Sequence, residues 1–279
     1  LTLHSNRLQS LPESIQYLGK ITALNLNHNR LTELPSSLQK LTQLTKLILS
    51  NNQLNTLPSA LQLLKNVDQI QCHGNQLTTI DACLLNASTL NLQSNHLRSF
   101  TLPIDRCKDI RVLNLSGNAL SSLPQNIEYC TNLERLDISH CQFTAIPDSL
   151  RSLCRLQYLN IASNALQNLP SWLGDLSHLT ELFLQENSLK ELPKSIVELS
   201  VLQRTNLPGT PLETCRVLQH HPPIRFLDLG KLAPTAVHCD FNAISSLDSL
   251  IVIVPWNHHM WSRRRQLKND FPKIRFRSE

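Results

Sequence analysis

Apolar residues recur along this chain in a fixed eight-residue frame, L-x-L-x-x-N-x-L, rather than in one continuous helical or strand period. The frame appears as LTLHSNRL (1–8), LNLNHNRL (24–31), LILSNNQL (47–54), IQCHGNQL (70–77), LNLQSNHL (90–97), LNLSGNAL (113–120), LDISHCQF (136–143), LNIASNAL (159–166) and LFLQENSL (182–189). TNLPGTPL (205–212) repeats it with the first Leu replaced. The marker position holds Asn6, Asn29, Asn52, Asn75, Asn95, Asn118, Cys141, Asn164, Asn187 and Thr210, at 23-residue intervals except for one of 20. Between markers run segments such as LPSSLQKLTQL (34–44) and IPDSLRSLCRL (146–156), with an apolar residue every third position after the Pro. A two-residue alternation predicts a short strand, and the period of three predicts a short helix or 3₁₀ turn with Pro at its first position.

Each unit is therefore one strand and one short helical segment, too small to bury its own apolar side. Stacked neighbours bury it for one another, which predicts an α/β solenoid with a parallel sheet on a concave face. The marker Asn turns inward after its strand, where its amide can bond backbone groups left unpaired between turns. Residues 76–95 form a unit three residues short, reading TTIDACLLNASTL without the LP, which predicts a tight convex loop.

The LPxxIxxLxxL segments resemble those of intracellular leucine-rich-repeat proteins, including Ras-binding and cell-polarity scaffolds and plant Ras-group repeat proteins. They also resemble leucine-rich-repeat effectors that intracellular bacteria deliver into host cells. The resemblance covers residues 1–212, the ten regular units, and implies a curved horseshoe. Residues 213–279 are read as degenerate terminal repeats and a C-terminal cap, for about 12–13 units in all. In that stretch Leu227 and Leu229, Leu250 and Val252, and Ile274 and Phe276 keep the strand register, with Leu232 and Pro255 at marker positions. The alternative is a separate small domain starting near Glu213.

Charge changes the picture only locally. The net charge is +5, and residues 256–279, WNHHMWSRRRQLKNDFPKIRFRSE, hold much of the excess. The repeats carry no basic stripe, so nucleic acid is not an expected partner. The tail is either a solvated cap or a second contact, made by Trp256, Trp261, Arg263, Arg264 and Arg265 with an acidic surface or anionic lipid. No apolar run is long enough to span a bilayer.

The chemistry-bearing residues read as structural. Cys72, Cys107, Cys130, Cys141 and Cys215 fall at inward or marker positions, as small buried hydrophobes. Cysteines scattered through the middle of the repeats argue for a reducing compartment, cytoplasmic or the host cytosol for a bacterially secreted protein. His220, His221, His238 and Cys239 fit no metal spacing, and neither a metal nor a cofactor is expected. Asp137, His140 and Cys141 have the inventory of a cysteine hydrolase. The register sends Cys141 into the core and the other two to solvent, so the reading is not an enzyme.

Numbered from the marker n, positions n−6, n−4, n−2, n−1 and n+1 face solvent on the strand side. In the early and middle units these are almost all neutral and polar. From the seventh marker they become charged and aromatic: Arg135, Tyr158, Glu181 and Arg204 at n−6, and Asp137, Asn160, Phe183, Asn206 and Asp228 at n−4, with His140 and Glu186 at n−1. Exposed aromatics flanked by charges of both signs have the composition of an interface hot spot. The expected site is Arg135, Asp137, His140, Tyr158, Asn160, Glu181, Phe183, Glu186 and Arg204. The expected function is a module, monomeric when free, that binds a protein such as a signalling protein or an enzyme it regulates. The alternative is the substrate-recognition part of a larger enzyme, for example a ubiquitin-ligase effector, with its catalytic domain elsewhere.

Overall fold

A computed structural model describes residues 1–80, 87–207, 224–231, 249–253 and 275–277. The chain divides into two compact units, Leu1–Gln142 and Phe143–Glu279. In the first, strands β1 (Ala23–Asn25), β2 (Lys46–Ile48), β3 (Gln69–Gln71), β4 (Thr89–Asn91), β5 (Val112–Asn114) and β6 (Arg135–Asp137) lie side by side in chain order, all parallel. In the second, β7 (Tyr158–Asn160), β8 (Glu181–Phe183), β9 (Arg204–Asn206), β10 (Phe226–Lys231), β11 (Ser249–Ile253) and β12 (Arg275–Arg277) do the same.

Every strand of regular repeat is only three residues long, with the middle side chain buried between two outward ones. That leaves the sheet's two faces chemically distinct, as a two-residue period requires. The opposite side is 3₁₀ helix: Glu13–Leu18, Ser36–Lys40, Ser59–Leu63 and Ile127–Tyr129 in the first unit, then Asp148–Ser152, Ser171–Asp175 and Lys194–Glu198 in the second. A 3₁₀ turn has three residues per turn, so leucines at every third position line one side. Leu38, Leu41 and Leu44 are each at most 1% exposed and continue the N–H to C=O spacing of three. One four-residue α-turn, Ile104–Cys107, replaces this in the unit that reads LPIDRC.

The prolines act one place earlier than their spacing predicts. Pro35 and Pro147 are N-caps in extended backbone, at φ −69° and −64°, rather than the first helical residue. Their carbonyls accept the first turn's N–H, Leu38 N to Pro35 O at 3.2 Å and Leu150 N to Pro147 O at 3.0 Å. A ring that fixes φ near −65° suits an extended cap as well as a helix, and Pro has no N–H to leave unpaired.

The marker asparagines bind adjacent repeats as expected. Asn52 Oδ1 accepts from Leu31 N at 3.0 Å, while its Nδ2 donates to Leu26 O and Leu49 O, both at 3.0 Å. Asn29, Asn75, Asn95, Asn118 and Asn187 make the same set. The short repeat leaves the set intact. Asn95 still receives Leu77 N at 3.0 Å, and Gln69 still pairs with Thr89. Its proposed tight loop falls on residues 81–86, outside the described residues.

Strand pairing extends beyond residue 212. Leu227 pairs with Thr205 and Leu250, and Val252 with Phe276, in the register the leucines imply. Leu229 departs from it: the register shifts between Asp228 and Gly230, and Gly230 rather than Leu229 faces Val252. Thr210, Cys215, Leu232, Pro255 and Ile274 lie outside the described residues.

Candidate functional site

Two backbone regularities decide which strand-side residues are free to act. The first is at n−1, where the chain turns out of the strand. Ser5, His28, Asn51, Ser94, His140, Ser163 and Glu186 all have φ between 52° and 56°, and Gly74 and Gly117 fill the same place at 67° and 65°. A left-handed residue there turns the backbone while its side chain projects to solvent, which exposes His140 and Glu186.

The second is at n−4. Asn25, Asn91, Asn114, Asp137 and Asn160 each accept, on Oδ1, the N–H two residues further on, at 3.0–3.2 Å. These are Asx turns, so the polar n−4 row has a structural role in closing each strand. Asp137 Oδ1 also accepts from the Ser139 hydroxyl at 2.7 Å. The Cys141 thiol meanwhile donates to Leu115 O at 3.6 Å, and burial pushes it up from its ordinary pKa. Asp137 thus serves Ser139, Cys141 faces inward and His140 projects outward.

In the second unit the same frame brings an aromatic cluster together on the sheet's open side. Tyr158 on β7 and Phe183 on β8 are half-buried, with ring centroids 5.3 Å apart and planes tilted by 48°. Arg204 on β9 places its guanidinium carbon 5.9 Å from the centre of the Phe183 ring and 4.6 Å from that of Phe226 on β10. Glu181 lies beside both Tyr158 and Arg204 in register and reaches Arg204 at 3.9 Å, a loose ion pair with the arginine side chain 50% exposed. Tilted ring pairs and guanidinium stacking hold such a surface rigid at small entropic cost.

Of the expected residues, Tyr158, Glu181, Phe183 and Arg204 are contiguous here. Asn160 is engaged in its Asx turn. Arg135, Asp137 and His140 belong to the first unit, where Arg135 and His140 are exposed. Phe226 is the member that sequence reasoning missed. It stands six before Leu232, the n−6 place of a repeat whose marker is degenerate, and that spacing was the available signal. Trp256, Trp261, Arg263, Arg264 and Arg265 lie outside the described residues, as do His220, His221, His238 and Cys239. Among the described residues no three His, Cys, Asp or Glu side chains converge as metal ligands, and no helix is long and apolar enough to cross a membrane.

The sequence profile described as "Leucine rich repeat" matches residues 1–54, 108–166 and 154–212, more than half of the chain. The chain belongs to the leucine-rich-repeat family. Among solved structures it is similar to a leucine-rich-repeat protein of Leptospira interrogans, at 25% identity and a TM-score of 0.78 over 99% of this chain and 76% of the other. An internalin of Listeria monocytogenes superposes with a TM-score of 0.75 at 18% identity, over 100% and 86% of the two chains. The leucine-rich effector protein YopM of Yersinia pestis does so at 0.65 and 23%, over 87% and 68%. No curated protein matches by sequence. The fold is that of a leucine-rich-repeat solenoid, an architecture that generally serves as a protein-binding scaffold rather than an enzyme.

Proposed function

We propose that this leucine-rich-repeat chain is a non-enzymatic binding module. Its partner is a protein, a signalling protein or an enzyme that it regulates, docked on the strand side of the second unit. The observation that carries the reading is the Tyr158–Phe183 pair, two large aromatic side chains on outward strand positions with Arg204 stacked beside them. Burying aromatics in a core would be cheaper, and the repeat has ample Leu positions for that. Aromatic and Arg anchors are what dominate protein interfaces. In the first unit the same reading assigns contacts to Arg135 and His140, both exposed.

A reducing compartment is supported by Cys107 and Cys130, buried free thiols at equivalent places in successive repeats, the Cys107 thiol donating to backbone carbonyls. The similarity to YopM, described as an effector, fits delivery into a host cytosol. A plant peptide-hormone receptor, solved in complex with RGF2, shares the fold at a TM-score of 0.53 and fits use of the repeats for protein or peptide capture.

The test is affinity capture with wild type and with Tyr158→Ala and Phe183→Ala, followed by titration of the captured partner. Each substitution should weaken binding by about 1–3 kcal/mol while leaving the melting curve nearly unchanged. Equal binding by both variants refutes this docking site.

A further inference from the structure

We propose that the strand side of the first unit is a second docking surface, whose occupant is an acidic, extended segment of a partner protein. The inference goes beyond the Tyr158–Phe183 reading and does not rest on it. From Thr2 to Ala119 the outward positions of six repeats hold no aspartate or glutamate, while Arg7, Arg30 and Lys46 are among them. Charge is mixed on the flanks of the same repeats, just before each strand and just after each turn. There Glu33, Asp68 and Asp109 stand against Lys20, Arg98 and Arg111, and Arg111 has Glu134 of the next repeat at 2.7 Å. The excess of positive charge on this side lies on the outward rows.

Arg7 and Arg30, both exposed, hold the same place in adjacent repeats, where the Arg30 N–H donates to Leu8 O at 2.8 Å. Neighbouring strands lie about 4.8 Å apart, so two like charges stand side by side, an arrangement that is repulsive until an anion joins them. Among the described residues no carboxylate pairs with Arg7, Arg30 or Lys46. Lys46 stands at n−6 and the arginines at n+1, so the charges bracket a polar row, and the matching anion is a chain rather than a single ion. His28 and His73 lie within that bracket. His28 turns outward at φ 53° with Nε2 3.3 Å from Asn51 Nδ2, and His73 Nδ1 lies 2.9 Å from Ser50 Oγ. The other nitrogen of each ring is available to a carboxylate. Arginine in turn accepts a carboxylate on two N–H groups at once. No Phe, Tyr or Trp is outward in these repeats, so the bases of a nucleic acid have nothing to stack on. Ile48 and Val112 are the large apolar residues of the rows, too few to enter a lipid surface.

The experiment is fluorescence anisotropy of a labelled polyglutamate peptide titrated with the full chain at low salt, with polylysine and oligothymidine of equal charge as comparison probes. Polyglutamate should bind, more weakly as salt is added, and polylysine should not. The double variant Arg7→Gln/Arg30→Gln should weaken polyglutamate on the order of 10-fold, and Lys46→Gln should weaken it further. An unchanged circular-dichroism melt certifies that these exposed substitutions leave the chain folded. Tyr158→Ala/Phe183→Ala and the triple variant Arg263→Gln/Arg264→Gln/Arg265→Gln should bind polyglutamate as wild type does. Absence of polyglutamate binding overturns the proposal, as does equal binding by wild type and Arg7→Gln/Arg30→Gln. Loss of binding in the triple variant alone moves the acidic contact to residues 263–265 and overturns it as well. Oligothymidine binding as tightly as polyglutamate overturns the assignment to an acidic protein segment. None of these failures touches the Tyr158–Phe183 reading, which is decided by its own captured partner.

Discussion

Replacing Cys141 by Asn tests whether the amide ladder is what holds neighbouring turns together. The preceding marker, Asn118, accepts from Leu97 N at 3.0 Å and donates to Leu92 O at 3.0 Å, Leu115 O at 2.8 Å and Ser116 O at 3.4 Å. Cys141 makes a 3.6 Å bond to Leu115 O, and the Leu120 N–H points at its sulfur. Sulfur is a weak acceptor beside an amide oxygen. Leu115 O is already held by Asn118, so a new bond there adds little. The gain is at Leu120, a buried residue whose N–H would exchange sulfur for Oδ1 in the manner of Leu97. Satisfying a buried amide contributes about 1–3 kcal/mol, and ordering and desolvating the new side chain removes part of it. The net expectation is about 1 kcal/mol of added stability, roughly 2–4 °C in the melting temperature. The assay is urea unfolding of the full chain followed by circular dichroism, with amide exchange at Leu120 as the local readout. Cys141→Ala, which removes the thiol and adds no amide, is the control. If Cys141→Asn is no more stable than wild type and Leu120 exchanges as fast as before, the ladder argument fails at this position.

Two further substitutions probe the repeat stack. In Gly174→Ala the new Cβ would lie 2.5 Å from Ser195 O and 2.6 Å from Glu198 Oε2, so the facing 3₁₀ segments must separate. The expected cost is about 1–3 kcal/mol in the urea midpoint, and a neutral result would show that the two segments slide freely. His73 donates to or accepts from Ser50 Oγ at 2.9 Å, and its pKa is lowered from 6.5 by burial and then by the charge of His28. A depressed folded pKa gives stability that is present above pH 6.5 and is lost as pH falls through the lowered value. His73→Gln should flatten that acid limb, and an unchanged limb would place the linkage elsewhere.

The fold was legible because its determinants are side chains with one job each. Leucine at n−5 and n−3, Asn at the marker and Pro before the 3₁₀ turn each meet a backbone or core requirement that few other residues meet. The left-handed n−1 position was not legible. Ser, His, Asn, Glu and Gly occupy it in turn, and they share tolerance of positive φ rather than any contact. The candidate face was half legible. Alternation alone gave Tyr158 and Phe183 as outward, but it could not separate residues that are outward and idle from those outward and engaged. Asn160 and Asp137 looked like contact residues and are Asx-turn acceptors. Phe226 was passed over at n−6 although Asp228, numbered from the same Leu232, was read at n−4.

Those turns also supply a criterion that composition lacks. An Asn or Asp at n−4 accepts the N–H at n−2, and a residue that cannot do so forgoes that bond. Ile48, Gln71 and Phe183 are such positions. The missing bond alone does not mark a site, because Ile48 sits between Asn25 and Gln71, neither of them apolar or charged. Phe183 differs in its company. It has Tyr158 against its ring, Arg204 stacked on it, and Asn160 and Asn206 as its register partners. Asn206 in turn has a buried Oδ1 with no donor, since two residues on stands Pro208, which has no N–H to give. Adjacent strands therefore depart from the local rule on the same face, one by placing a ring where an acceptor belongs and one by leaving an acceptor without its donor. Departures from local consistency are expected at functional or strained sites, and here they gather around the outward aromatics on which the proposed docking rests.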